Sequence, residues 1–207
     1  MVNRTYEPIV KKPQHTMHYN NVSPMMFSII DDPISPVRFL ILDCPTESTL
    51  GFYIEQFIKL NVRTVVRCCP PTYSTTRLSE YDINVVDLPF KDGGVPSPTL
   101  VHDWNLLIYK IQQDILHHPS SSCSIDKTTI AVHCVAGLGR APVLVAIALI
   151  EAGMDALDSI ENIRSKRRGA FNKPQIAFLD SYKRTTRHKP NNPTWRLSLG
   201  KMFRMTA

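Results

Sequence analysis

The chain has 207 residues, of which 43% are hydrophobic and 20% charged, a balance typical of a globular protein and unlike that of a disordered or fibrous one. Its length suits one domain with extensions. Residues 1–160 carry 12 basic and 16 acidic side chains, residues 161–180 carry 5 and 2, and residues 181–207 carry 7 and 0. The net charge of +6 therefore belongs to the C-terminal end. Since no RNA-recognition or zinc-finger motif accompanies this charge, nucleic acid is not an expected partner.

The cysteine pattern indicates a reducing compartment. The chain has five cysteines with no CxxC spacing, at Cys44, Cys68, Cys69, Cys123 and Cys134. An odd set without that spacing predicts neither a disulfide framework nor a zinc cluster, so we expect no metal. Neither a signal-peptide pattern nor the roughly 18 consecutive apolar residues of a membrane span is found. We expect a cytoplasmic protein, and the nucleus is also compatible.

The order of predicted elements indicates an α/β fold. Residues 1–36, rich in Pro, Asn and Met, predict a flexible arm. The apolar periods then predict the strand Val37–Leu42, the helix Ser48–Leu60, the strands Val62–Arg67 and Ile83–Leu88, a long helix from Ser97-Pro98, the strand Thr128–Val132, a helix after Arg140, and helices over Asp155–Lys166 and Pro174–Thr185. This alternation predicts a three-layer αβα domain over residues 37–185, with a mostly parallel central sheet, followed by a basic tail over residues 186–207.

The segment VHCVAGLGRAP, between a strand and a helix, carries the chemistry. Gly137 and Gly139 let the backbone curl so that successive N–H groups point inward, and the following helix adds its positive end. This predicts an anion-binding loop made of Val135, Ala136, Gly137, Leu138, Gly139 and Arg140. A cysteine at the mouth of such a loop has its thiolate favoured over its thiol, so Cys134 is the predicted nucleophile.

Three further residues complete the predicted site. Arg140 can direct two N–H donors onto two phosphate oxygens, in the ground state and the transition state alike. Asp92, in the Gly/Pro-rich segment LPFKDGGVPSP after a strand, is the candidate general acid, and the alternative is an ordinary solvated aspartate. His133 is expected to pack and hydrogen-bond beneath the loop rather than to act as a base.

The segments HCVAGLGRAPVLVAIALIEAGM and IRSKRRGAFN closely resemble the phosphatases of regenerating liver (PRL, protein tyrosine phosphatase type 4A), and the resemblance runs from about Val37 to about Tyr182. It implies the Cys-dependent phosphatase fold and hydrolysis of phosphotyrosine, with dual specificity open, through a phosphocysteine and without a cofactor. The loop lacks the lysines of related phosphoinositide phosphatases, which favours a protein substrate over a lipid or an RNA 5′ phosphate.

The resemblance also assigns roles to individual residues. Ala141 stands where many phosphatases have a hydroxyl that helps the thiolate leave, so slow turnover is expected. Cys69 matches the family's second cysteine, which implies a reversible disulfide with Cys134, while the added neighbour Cys68 leaves the resolving thiol open. Gln175 either orients the hydrolytic water or caps the last helix.

The family's known partners leave a second function open. The resemblance implies binding to CNNM-type magnesium transporters through the same pocket, a pseudo-enzyme-like role. The chain departs from the family's residues around the pocket rim, at Leu88, Lys91 and Pro70-Pro71. These changes leave the choice of partner less certain than the chemistry. The chain ends in Met205-Thr206-Ala207 with no cysteine after Cys134, so we expect no prenylation. The basic tail is either a weak contact for anionic membranes or a solvated tail.

Overall fold

The computed structural model describes residues 26–33, 35–117 and 127–185. Most of the predicted N-terminal arm, the polar insert that contains Cys123, and the basic tail over residues 186–207 lie outside these ranges. What the sequence predicts for those segments stays a prediction.

The described residues form one sheet with helices on both faces. In chain order the elements are β1 Phe27–Ile30, β2 Val37–Leu42, α1 Leu50–Lys59, β3 Val62–Arg67, α2 Thr76–Ser79, β4 Asn84–Asp87, α3 Pro98–His117, β5 Thr128–His133, α4 Arg140–Ala152, α5 Ala156–Lys166 and α6 Lys173–Ser181. The sheet order is β1-β2-β5-β3-β4. Only the β1-β2 pair is antiparallel among these neighbours, so the predicted mostly parallel α/β fold is confirmed.

The sheet begins earlier than the sequence analysis predicts. β1 lies inside the segment predicted as an arm and pairs with β2, with Phe27 opposite Leu42. The boundary at residue 37 is therefore wrong for the sheet, because an edge strand of four residues is too short to show a period. At the other end α6 stops at Ser181 and the chain turns extended, so that the Tyr182 hydroxyl donates to Glu151 on α4 at 2.6 Å.

Helix α4 is the centre of the larger half of the core. It is buried on nearly every side, from Arg140 to Ile150, because the sheet covers one face and α3, α5 and α6 cover the others. The indole N–H of Trp104 on α3 donates to the carbonyl of Leu144 at 2.8 Å, which fixes the two helices together. On the opposite face of the sheet, α1 packs its own apolar stripe. Among the described helices none has the length and apolar character needed to cross a bilayer.

The parallel strands bring three segments to one edge of the sheet. Leu42 of β2 and Arg67 of β3 both lie opposite His133 of β5, so the three strands end side by side. The segments that follow them therefore converge at the carboxyl edge, where open α/β sheets bind their ligands.

Arg67 fixes the segment after β3. Its guanidinium is buried and donates to both carboxylate oxygens of Asp87, at 2.6 and 2.8 Å, and to the carbonyl of Tyr73 at 2.9 Å. It also lies 5.1 Å from the centre of the Tyr73 ring. The hydrogen bonds from Arg67 hold the pKa of Asp87 below its usual value.

We expect Asp87→Asn to lower the free energy of unfolding near neutral pH by about 1 kcal/mol, a modest loss because this carboxylate is 46% exposed. The pKa of Asp87 is lower in the folded than in the unfolded protein, so the stabilisation is present above the unfolded value of about 3.9 and is lost as the pH falls through the folded value. Urea unfolding at about pH 7 and at a series of acidic pH values follows this loss. Asp103→Asn, on the exposed face of α3, is the control, and equal losses in the two variants would contradict the account.

Candidate active site

The loop between β5 and α4 turns its carbonyl groups outward. Each of four consecutive carbonyls accepts a hydrogen bond from outside the loop: Val135 from the Cys44 N–H at 2.9 Å, Ala136 from Arg167 Nη2 at 2.9 Å, Gly137 from Arg167 Nε at 2.7 Å, and Leu138 from the Phe171 N–H at 2.8 Å. In a trans peptide unit the N–H points opposite to the C=O. The N–H groups of residues 136–139 therefore point to the concave side of the loop, which is the predicted anion site.

Gly137 is required by this conformation. Its φ of 65° lies in the left-handed region, and a Cβ there would come within 2.5 Å of the Leu42 carbonyl oxygen. Gly139 has a different role, since its φ is −121° and a Cβ there would lie 3.2 Å from the Gln175 amide nitrogen. The two glycines thus serve a turn and a close approach respectively.

Arg167 is the residue that the sequence analysis missed. It lies in the basic run at the end of α5, yet its side chain is buried beneath the loop and not on the surface. Besides the bonds to the loop, Arg167 Nη1 lies 3.4 Å from the Met26 carbonyl oxygen, just before β1, and 3.5 Å from the Ser28 hydroxyl on β1. Burial lowers the pKa of Arg167, although its usual value is high enough to keep it charged. The strand that the sequence did not reveal therefore supports the arginine that shapes the loop.

Cys134 and Arg140 stand at the two ends of the loop, and both are buried. Arg140 Nη1 donates to the carbonyls of Cys68, at 3.1 Å, and Phe90, at 3.3 Å, which orients the guanidinium. Its Nη2 lies 3.0 Å from Asp92 Oδ1. Its Nε is buried with no hydrogen-bond partner among the described residues. A buried donor without a partner, next to an anion loop, is suited to a phosphate oxygen.

The loop that carries Asp92 is tied to the start of α6. The Asn172 side chain donates to the Gly93 carbonyl at 2.8 Å, and the buried Gln175 side chain donates to the Gly94 carbonyl at 2.9 Å. Asn172 and Gln175 also form a capping box, so Gln175 caps the helix, one of the two roles expected from the sequence. The Asp92 side chain is 81% exposed and faces Arg140. The structure thus places the candidate acid at the mouth of the anion site.

His133 lies beneath the loop. Its Nε2 is 2.8 Å from the Tyr73 hydroxyl, and its Nδ1 is 3.3 Å from the Cys134 carbonyl. Burial lowers the pKa of His133 to about 4, so the ring is neutral near pH 7. Ala141 is fully buried in the first turn of α4 and offers no hydroxyl to the site.

Two cysteines meet beside the loop. Cys69 Sγ lies 3.8 Å from Cys44 Sγ, and all four described cysteines are free. Burial, followed by the neighbouring Cys44, raises the pKa of the Cys69 thiol, and burial likewise raises that of Cys68, which packs in the apolar core. The predicted pairing of Cys69 with Cys134 stays a prediction. The sequence analysis did not single out Cys44, although Cys44 and Cys69 each stand two residues beyond a strand that flanks β5.

The same place holds a group of potential metal ligands. The thiol sulfurs of Cys44 and Cys69 and a ring nitrogen of His133 all lie within 4.8 Å of one another. Thiolate and imidazole together suit a thiophilic ion such as zinc. The sequence does not reveal this group, because its three residues are far apart in the chain and lie at the ends of three different strands.

Comparisons with known proteins agree with this geometry. No protein-family model matches the chain. The chain is 45% identical over 156 residues to the PRL-1 phosphatase of Drosophila melanogaster, covering 75% of this chain and 83% of that protein. It is 45% identical over 157 residues to the human protein tyrosine phosphatase type IVA 3, covering 76% and 85% respectively.

A solved structure agrees as well. A protein tyrosine phosphatase from Leishmania major superposes with a TM-score of 0.68 at 42% sequence identity, covering 76% of this chain and 99% of that one. Sequence identity at this level, over most of both chains, shows that two proteins belong to the same family. The chain therefore belongs to the type IVA protein tyrosine phosphatases, the PRL family.

Proposed function

We propose that this protein tyrosine phosphatase hydrolyses phosphotyrosine in protein substrates through a phosphocysteine on Cys134. One observation carries the proposal: the loop after Cys134 has its carbonyls bonded outward, so that its N–H groups face the concave side. At the end of this loop, the Nε of Arg140 is buried and has no partner among the described residues. A nucleophile placed beside preorganised donors for the phosphoryl oxygens is the arrangement that cysteine-based phosphoryl transfer needs.

The first step transfers the phosphoryl group to the enzyme. The loop N–H groups and Arg140 hold the three non-bridging oxygens, and the Cys134 thiolate attacks phosphorus on the side opposite the tyrosine oxygen. Asp92 gives its proton to that oxygen as the P–O bond breaks. In support, Asp92 Oδ1 lies 3.0 Å from Arg140 Nη2, beside the phosphate site. Because this ion pair favours the carboxylate, Asp92 must leave it and bind a proton before it can act as the acid.

The second step releases phosphate. Asp92 takes a proton from a water molecule, the water oxygen attacks phosphorus, and the Cys134 sulfur leaves as a thiolate. The buried Ala141 gives the departing sulfur no hydroxyl. We therefore expect this step to limit turnover.

The role of Asp92 depends on the leaving group. We expect Asp92→Asn to lower kcat/KM by about 10²–10⁴ for an aryl phosphate whose phenolate needs a proton, and far less for one whose phenolate leaves unprotonated. Comparing the two substrates by steady-state kinetics tests this, with Asp103→Asn as the exposed control. An equal loss on both substrates would show that Asp92 acts on binding and not on the leaving group.

The slow second step predicts an accumulating intermediate. On mixing the reduced enzyme with an aryl phosphate, we expect a burst of phenol and a phosphocysteine adduct in intact-mass spectra after acid quench. Ala141→Ser should raise kcat and reduce the adduct, whereas Ala148→Ser, the same change later in α4, should do neither. Cys134→Ser is the blank. If the reduced wild-type protein turns over without any adduct, the second step is not rate-limiting and the role given to Ala141 is wrong.

We also propose Cys69 as the redox partner of the nucleophile. Peroxide would convert the Cys134 thiolate to a sulfenic acid with release of hydroxide, and the Cys69 thiol would then displace water to form the disulfide. In support, Cys69 follows β3 and Cys134 follows β5, and these two strands are neighbours in the sheet with Arg67 opposite His133. Cys68, buried in the apolar core, is the less suitable resolving thiol.

A second candidate function is binding of a CNNM-type magnesium transporter through the same pocket. It is favoured by two exposed apolar side chains on the loop, Val135 at 62% and Leu138 at 38% exposure, which a protein partner would cover. A long-lived phosphocysteine would occupy the pocket and oppose such binding. We also propose a cytoplasmic location, with weak and salt-sensitive membrane contact through the basic tail. The concentration of positive charge at the C-terminal end of the sequence supports this contact.

A further inference from the structure

We propose that Cys44, Cys69 and His133 form a binding site for a thiophilic divalent metal ion, such as zinc, beside the phosphate loop. The three residues come from the ends of β2, β3 and β5, which lie side by side in the sheet. The fold itself therefore brings the ligands together.

The distance between the sulfurs fits a tetrahedral metal ion. Zinc–thiolate bonds of about 2.3 Å at the tetrahedral angle place two sulfurs about 3.75 Å apart. Cys44 Sγ and Cys69 Sγ are 3.8 Å apart, and the His133 nitrogen lies within 4.8 Å of both. Zinc–imidazole bonds are about 2.0–2.1 Å long, so the His133 ring needs to move by a modest amount at most to bind the same ion.

The hydrogen bonds of His133 also suit a metal ligand. With the proton on Nδ1, that nitrogen donates to the Cys134 carbonyl, and the lone pair of Nε2 accepts the Tyr73 hydroxyl. A ligating histidine commonly donates its other N–H to a carbonyl, which fixes the ring. A metal ion bound through the Nε2 lone pair would replace the hydrogen bond from the Tyr73 hydroxyl and leave the bond from Nδ1–H to the Cys134 carbonyl in place.

The surrounding charges accommodate a cation. Two arginines at this edge of the sheet are bonded to carboxylates, Arg67 to Asp87 and Arg140 to Asp92. Asp43 precedes Cys44 in the chain and adds a negative charge, and its Oδ1 accepts a hydrogen bond from the Tyr53 hydroxyl at 2.8 Å. Binding releases two thiol protons to the buffer, so two thiolates balance the two positive charges of the ion and no group is oxidised or reduced.

Cys44 provides the entrance. Its side chain is partly exposed, whereas Cys69 and His133 are buried. The Thr72 hydroxyl lies 3.1 Å from Cys44 Sγ on this side. The three ligands leave a fourth position for a water molecule.

The test measures metal binding by the full-length reduced protein. Zinc is titrated in competition with a chromophoric chelator, and cobalt is added separately to record its visible spectrum. We expect one zinc per chain and the thiolate-to-cobalt charge-transfer and tetrahedral bands. Cys44→Ser should weaken zinc binding at least about tenfold, whereas Cys123→Ser, which removes a cysteine outside the proposed group, should not change it.

The decisive comparison is with the nucleophile. Cys134→Ser should retain zinc binding, and zinc should slow alkylation of Cys44 in the wild-type protein, as mapped by peptide mass spectrometry. The alkylation readout does not depend on any variant folding. Binding lost in Cys134→Ser but kept in Cys44→Ser would place the ion on the nucleophile and overturn the proposal, as would a cobalt spectrum without thiolate bands.

Discussion

The outward anchoring of four loop carbonyls is the constraint on which the site depends. A peptide unit that turns its carbonyl out must turn its N–H in, and Arg167 secures two of the four units with one buried guanidinium. Without those bonds the carbonyl dipoles would be free to face an incoming anion. The positive character of the pocket is thus built mainly from backbone geometry, and the guanidinium of Arg140 at the end of the loop adds to it.

The rest of the fold supports this loop from several directions. β1 lies against the far side of Arg167, the start of α6 holds the segment around Asp92, and the segment after β2 caps the Val135 carbonyl. Each support comes from a different element, so the loop adopts this conformation only when the whole sheet is correctly assembled. If any of these supports is loosened, the loop N–H donors are no longer held in place. The activity of a phosphatase of this design therefore depends on the stability of the surrounding fold.

Much of this could be predicted from the sequence because it is local. The apolar periods gave β2 and β3 their bounds, and glycines between a strand and a helix identified the anion loop around Cys134. The parts that were missed depend on distant contacts. The sequence analysis did not identify Arg167 as part of the site because its partner on β1 lies 139 positions away, and Cys44 meets Cys69 because their two strands flank a third. No period or spacing in a single sequence encodes such meetings.

The central claim is that the loop N–H groups form the anion site. Amide NMR spectra of the wild-type protein during titration with inorganic phosphate test it most directly. The account predicts that the amide signals of residues 136–139 and the Nε–H of Arg140 shift together with one saturation curve. Saturable shifts elsewhere, with these signals unchanged, would contradict it.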